Sequence, residues 1–530
     1  MARGYLALVL HAHLPFVRHP EHPSFLEERW LFEAITECYL PLLAVFERLV
    51  ADGVAFRLTL SLSPTLVAML RDDLLQRRYL THLDRMLALA EAEVARTRGD
   101  GHLHPVARLY RDAWRDARDR FEGRYGRDLT RGFERLESAG ALELITCAAT
   151  HAYLPLLRRE PGSVRAQVRV ALDSHAGCFG RRPAGFWLPE CGYYAGLETA
   201  LAAAGIRYFF VETHGLLNAS PRPRAGVYAP VRCPNGMAVF GRDPETSRRV
   251  WSADTGYPGD EWYRDFYRDI GLDLPVEALG PYLPEGESRA FTGLKYYRVT
   301  DRAEPKAPYE PGRAAERVRV HAEDFVRHCL ATVAARAVTS DRPPVITAPY
   351  DAELFGHWWF EGPQWLDQVI RLADRDSAGL ALLTPSDYLA RHPEAETVTP
   401  STSSWGDRGY SEYWLNEGND WIYPHLHRAA RLMTRLAAVH LNEPAESLAG
   451  RALRQAGRAL LLAQASDWAF VMRTGTAVDY AYQRTRDHLA RFHYLATALE
   501  AVQVDPQRLA ALEEMDRIFP AIDPSAFLDG

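Results

Sequence analysis

Three carboxylates occupy positions suited to chemistry. Glu190 stands in Trp187-Leu188-Pro189-Glu190-Cys191-Gly192-Tyr193, where a short apolar run stops at a proline and shows one acid among aromatic rings. Asp351 and Glu353 stand in Tyr350-Asp351-Ala352-Glu353, at the end of the apolar run 344–349. Two apart on a strand, they point to one face, and spacing alone does not separate them. Carboxylates at strand ends suit acid/base or covalent glycosyl chemistry. Histidines gather in the same kind of place. His11 and His13 follow the apolar run 5–10, and His151 follows the run 142–149. Three converging imidazoles could ligate zinc or hydrogen-bond to sugar hydroxyls and carboxylates.

The segments that must position these residues alternate. Strand-like runs at 5–10, 55–62, 142–149, 184–188, 205–211, 344–349 and 380–383 are separated by helical patterns, and nearly all end in polar, ring-bearing residues. Near-continuous apolar strands alternating with helices predict an α/β fold with a parallel sheet. About seven such units predict a barrel whose chemistry sits on its C-terminal rim. The long Arg/Asp/Glu-rich stretch after the second strand is too much helix for one crossover, and predicts a helical insertion over 74–132. A Ser/Thr/Pro/Gly-rich segment from 397 to 407 predicts a boundary. The expected division is a catalytic barrel over 1–398 and an all-helical domain over 399–530, with helices at 425–441, 445–466, 478–499 and 506–515.

The chain has 530 residues and a net charge of −7, with no basic stripe, so no nucleic-acid partner is expected. It has no apolar run long enough for a membrane span and no signal-like leader. Six cysteines without a C-x-x-C pair read as reduced thiols of a cytoplasmic protein. With 12 Trp and 25 Tyr, the composition supplies flat rings that could stack on sugars or simply fill a large core.

The stretches His11-Ala12-His13-Leu14-Pro15, Trp187 to Tyr193 and Ala348-Pro349-Tyr350-Asp351-Ala352-Glu353-Leu354-Phe355-Gly356-His357-Trp358 resemble, in order along the chain, the signature regions of glycoside hydrolase family 57. The likeness runs from residue 5 to past 480 and is closest to that family's α-glucan branching members. It implies a distorted (β/α)7 barrel with an inserted helical domain and a C-terminal helical domain. It also implies a retaining mechanism with Glu190 as nucleophile and Asp351, rather than Glu353, as general acid/base. The implied activity cuts an α-1,4 bond and passes the chain to a 6-hydroxyl. The implied partners are donor and acceptor α-1,4-glucan chains, with no metal or other cofactor, in a monomer or small homo-oligomer. The alternatives are 4-α-glucanotransferase or α-amylase activity in the same family, and, more remotely, an inactive glucan-binding protein.

A retaining pair should lie roughly 5–5.5 Å apart. Asp351 should be kept protonated by Glu190 and by an apolar wall of Trp358 and Trp359. The resemblance further implies substrate contacts at His11, His13, His151, Arg264, Trp358, Trp405, Trp414, Asp467 and Thr476. The Gly/Pro-broken segment 231–244 is the expected lid over the site. It lacks the tyrosine that branching relatives tend to carry there, and Met237 and Phe240 are its nearest large residues.

Overall fold

The computed structural model describes residues 2–252, 255–283, 289–300, 306–338 and 341–528. Nine strands make one sheet: β1 (Gly4–Ala12), β2 (Leu58–Leu62), β3 (Leu142–Cys147), β4 (Gly185–Trp187), β5 (Tyr208–Val211), β6 (Val231–Arg232), β7 (Ala238–Gly241), β8 (Val345–Asp351) and β9 (Leu380–Leu382). Their order is β6-β7-β5-β4-β3-β2-β1-β8, with β9 paired to the start of β1. All pairs are parallel except the β6–β7 hairpin. The sheet curls as a distorted (β/α)7 barrel. Two backbone bonds bridge its seam, Val345 N–H to the Tyr228 carbonyl and Asp243 N–H to the Thr347 carbonyl, each 2.9 Å.

Every residue of β1 is buried, because both faces are covered. Alternation splits the run. Tyr5, Ala7 and Val9 pack inward with Ile145, Trp187, Phe210, Phe240 and Val345, while Leu6, Leu8 and Leu10 face the helices. His11 keeps the inward parity of Tyr5, and Asp351 that of Val345. Paired in register, the two meet at the barrel mouth.

The segment 231–244 corrects the sequence reading. It is not a lid but the β6–β7 hairpin, with β7 parallel to β5. Met237 and Phe240 are buried, and Phe240 fills the barrel interior. Pro234 and Gly236 make the hairpin turn, and Gly241 ends β7. Between β2 and β3, helices Asp73–Arg96 and Leu103–Asp119 pack side by side, and Thr130–Ser138 follows.

The helix between β1 and β2 runs from Glu28 to Ala51 and carries a π-turn at Ile35–Tyr39. Such a turn re-aims side chains and recurs at functional sites. The C-terminal region is helical, with Ile422–Val439, Leu448–Ala463, Ser466–Thr474, Val478–Glu500 and Pro506–Met515. The expected single helix 445–466 in fact ends before Ser466, which opens a new one. Among the described residues no helix is long and apolar enough to cross a membrane.

Candidate active site

Glu190 follows β4 directly, and its backbone is left-handed (φ 61°), as are those of Cys191 (φ 50°) and His151 (φ 55°). Non-glycine residues adopt this region at a cost, and sites of function are where such strain collects. The turn aims the Glu190 carboxylate into a set of donors. Trp405 Nε1–H reaches Oε2 at 2.8 Å, and the Ser466 hydroxyl reaches Oε1 at 3.3 Å. The Trp405 amide also bonds the Glu190 carbonyl at 3.0 Å.

Behind Ser466 runs a hydrogen-bonded relay. His151 Nδ1 lies 2.9 Å from Ser466 Oγ, His151 Nε2 lies 3.0 Å from His11 Nε2, and His11 Nδ1 lies 3.0 Å from Ser61 Oγ. Burial holds the His11 and His151 pKa values well below that of a free imidazole, so both are neutral. One set of tautomers then satisfies every link. Ser61 donates to His11, His11 to His151, His151 to Ser466, and Ser466 to the carboxylate.

His13 forms the other wall. Its Nδ1 lies 3.0 Å from Ser63 Oγ, and its Nε2 meets both oxygens of Asp467 at 3.0 and 3.2 Å. The rings of His13 and His151 stack at 3.8 Å. The one metal-type grouping among the described residues is His13, His151 and Asp467, with ligand atoms within 4.8 Å of one another. Each residue of that set already has hydrogen-bond partners, and His11 belongs to the relay instead.

The end of β8 separates its two carboxylates. Glu353 Oε1 accepts from the Tyr39 hydroxyl at 2.5 Å and from the His13 amide at 3.1 Å. The π-turn delivers Tyr39 to this spot. Gly356 (φ 115°) lets the β8 loop close on that turn, since a Cβ there would sit 1.8 Å from the Glu37 carbonyl oxygen. Asp351 has no side-chain hydrogen bond among the described residues.

Burial lifts the Asp351 pKa well above the usual carboxylate range, and the charges of Glu353 and then Glu190 add to it, against Arg242. The two tryptophans of the expected wall have other ring partners. Trp359 is buried against Tyr263 and Trp365, and Trp358 stacks on Phe266 at 4.4 Å. Glu190 is pushed up to about 7, chiefly by burial, and the Trp405 hydrogen bond opposes the rise. Burial also raises the neighbouring Cys191 thiol well above its ordinary range, which keeps it protonated. All six cysteines are free.

The structure thus brings Glu190, His11, His13, His151, Trp405 and Asp467 into one network, with Asp351 in electrostatic reach. Other expected contacts lie elsewhere. Trp414 is 1% exposed and stacks on Tyr153 at 4.3 Å, so it is core and not a sugar platform. Arg264 is buried. Its guanidinium bonds Tyr110 and the His357 carbonyl and lies 4.4 Å over the Phe360 ring, where it supports the loop bearing Trp358 instead of facing a ligand. Trp358 is 51% exposed, and Thr476 lies in the exposed turn after Ser466–Thr474.

Sequence reasoning passed over Ser466 and Tyr39. It also passed over the Arg242–Glu212 ion pair at 2.9 Å, whose arginine lies 5.2 Å over the Trp405 ring. Polar strand ends at Ser61, Glu212 and Arg242 were the available signal. For Ser466 and Tyr39 there was none.

Comparison with known proteins gives the family. Residues 7–400 match the profile of glycosyl hydrolase family 57, and residues 425–527 match that of the 1,4-α-glucan branching enzyme C-terminal region. A 1,4-α-glucan branching enzyme of Thermococcus kodakarensis is 34% identical over 98% of this chain and 77% of its own length. Two solved structures each cover 99% of the chain. One is a Thermotoga maritima protein named as an α-amylase, at 42% identity, TM-score 0.92 and 99% of its length. The other is a family 57 branching enzyme of Pyrococcus horikoshii, at 35% identity, TM-score 0.88 and 97% of its length. With the family profile matching residues 7–400 and a relative 34% identical over 98% of the chain, this chain belongs to glycoside hydrolase family 57.

Proposed function

We propose that the chain is a 1,4-α-glucan branching enzyme that uses Glu190 as nucleophile and Asp351 as general acid/base. The observation that carries the roles is the asymmetry of the two strand ends. Glu190 receives directed N–H and O–H donors, which favour an anion, whereas Asp351 sits among carboxylates, which favour a proton. The activity rests on the branching-enzyme relatives and the matching C-terminal region.

In the first half, Asp351 gives its proton to the glycosidic oxygen as the C1–O bond breaks. Glu190 bonds to C1, and the leaving chain departs with a free 4-hydroxyl. In the second half, the 6-hydroxyl of an acceptor glucose attacks C1, its proton goes to Asp351, and the C1–Glu190 ester breaks. The product is an α-1,6 branch with retained configuration. His11, His13, His151 and Asp467 line the pocket for the sugar bound at Glu190, and Trp405 supplies both a donor and an aromatic face.

Incubation with amylose tests the reading. New α-1,6 linkages, scored as chains released by a debranching enzyme, with few new reducing ends, are expected. Reducing ends alone would mean hydrolysis, the activity named for the Thermotoga maritima relative. Redistributed linear chains alone would mean 4-α-glucan transfer.

A further inference from the structure

Trp405 also lines an open groove of about 560 Å³, shared among others with Glu212, His214, Asn218, Arg242 and Tyr410. Its size falls within the range of small-molecule sites. The groove is built from the C-terminal rim. Glu212 follows β5, Arg242 follows β7, and Trp405 and Tyr410 come from the segment beyond the barrel.

Its parts are held firmly. Arg242 Nη1 donates to Glu212 at 2.9 Å and presses its guanidinium on the Trp405 ring. His214 Nε2 donates to the Gly409 carbonyl at 2.9 Å and meets the Tyr410 ring edge-on at 5.4 Å. The lip carries left-handed backbone at Arg408 (φ 56°), a strained conformation of the kind kept at ligand clamps. Tyr410 itself is 46% exposed, and Asn218 is exposed beside it.

We infer that this groove is the acceptor subsite, holding the glucan chain whose 6-hydroxyl attacks the glycosyl-enzyme. The inference rests on the branching reading above and deepens it. The chemistry fixes the side on which an acceptor must stand. The group that protonates the leaving oxygen is the one that later takes the acceptor's proton, so the acceptor enters where the leaving chain was, beside Asp351. Trp405 is the wall shared by this groove and the nucleophile, and Arg242 is the groove residue whose charge reaches Asp351. An exposed tyrosine face flanked by amide, imidazole and ion-paired side chains matches a glucose ring, which has one apolar face and a rim of hydroxyls.

The test reads how the glycosyl-enzyme is partitioned between water and glucan, a ratio that does not depend on how fast it forms. Tyr410→Ala and Asn218→Ala are each given amylose, and new reducing ends are divided by new α-1,6 linkages. Tyr410→Ala is expected to raise that ratio roughly five- to tenfold, as loss of one aromatic contact implies, and Asn218→Ala less. Both variants should also raise the concentration of end-labelled linear maltooligosaccharide needed for half-maximal incorporation into branched product. Unfolding temperatures should stay at the wild-type value, because both side chains are exposed. Unchanged partition and unchanged acceptor saturation in both variants would overturn the subsite. Absence of α-1,6 linkages with the wild-type protein would instead overturn the branching reading beneath it.

Discussion

The ends of β4 and β8 occupy equivalent places on the barrel rim, yet they treat a carboxylate in opposite ways. At β4, Glu190 is met by Trp405 and Ser466, and the Ser61–His11–His151 chain points its hydrogens the same way. Each donor favours the ionised form and limits what burial does to the group. At β8, Asp351 has two carboxylates within electrostatic reach and one opposing cation, Arg242. The Tyr39 hydroxyl and the His13 amide donate to Glu353 instead. Both groups are buried. What distinguishes them is where the donors are spent, and a pair of acids pushed apart in this manner is how one site holds a nucleophile and an acid together.

The largest effects should come from removing either member. Glu190→Gln and Asp351→Asn are each expected to keep the fold while losing transfer, Asp351→Asn by about 10²–10⁴-fold as for a general acid/base, and Glu190→Gln by more. Added azide sharpens the comparison. Glu190→Ala should be rescued to a product of inverted configuration and Asp351→Ala to one of retained configuration, because only the first opens the β-face of C1, opposite the α-linked leaving group, to an external nucleophile. Exchange of those two outcomes would reverse the roles, and more than a few per cent of activity left in either amide variant would sink them.

Glu353→Gln probes the β8 end alone, with an intermediate effect. A neutral side chain removes the charge that most strongly raises Asp351. Asp351 should then lose its proton more readily, so the basic limb of the kcat/KM profile should move to lower pH, by about one unit or more. The acid limb, set by Glu190 near 7, should stay in place. A basic limb that does not move would mean that Glu353 acts only by anchoring Tyr39 and His13.

Much of this contrast was legible in the residues. Periodicity located seven of the strands, and the strand-end rule marked His11, Glu190 and Asp351, while spacing left Asp351 and Glu353 unseparated. What escaped depended on contacts distant in sequence. Trp405 and Trp414 lie in similar Ser/Gly/Asn-rich surroundings, yet one touches Glu190 and the other is core, because Tyr153 from the β3 side covers only Trp414. The helix break before Ser466 has no Gly or Pro to announce it. It is imposed by the bridge between Ala152 and Ala465 and by the bond from Ser466 N–H to the His151 carbonyl. The β6–β7 hairpin was hidden because Pro234 and Gly236, which form its turn, leave only two- and four-residue strands on either side. Arg264 was expected at the substrate from the resemblance alone, because its partners Tyr110 and His357 lie far off in sequence.

The smallest effects should come from trimming the donors at the β4 end, and they separate an electrostatic role from a stacking one. Trp405→Phe keeps an aromatic ring and removes the N–H that favours the Glu190 anion. The folded-state pKa of Glu190 should rise above about 7, and since the nucleophile works only when ionised, the acid limb of kcat/KM should move to higher pH, by roughly half to one unit. Ser466→Ala removes the longer bond, which contributes less, and should move the same limb in the same direction by less. In both variants the rate lost near neutral pH should be largely recovered one to two units above the new limb, and the basic limb should not move. A raised KM at every pH with an unshifted acid limb would mean that Trp405 serves the sugar rather than the carboxylate. The two strand ends would then differ only in the carboxylates that crowd Asp351, and not in the donors gathered at Glu190.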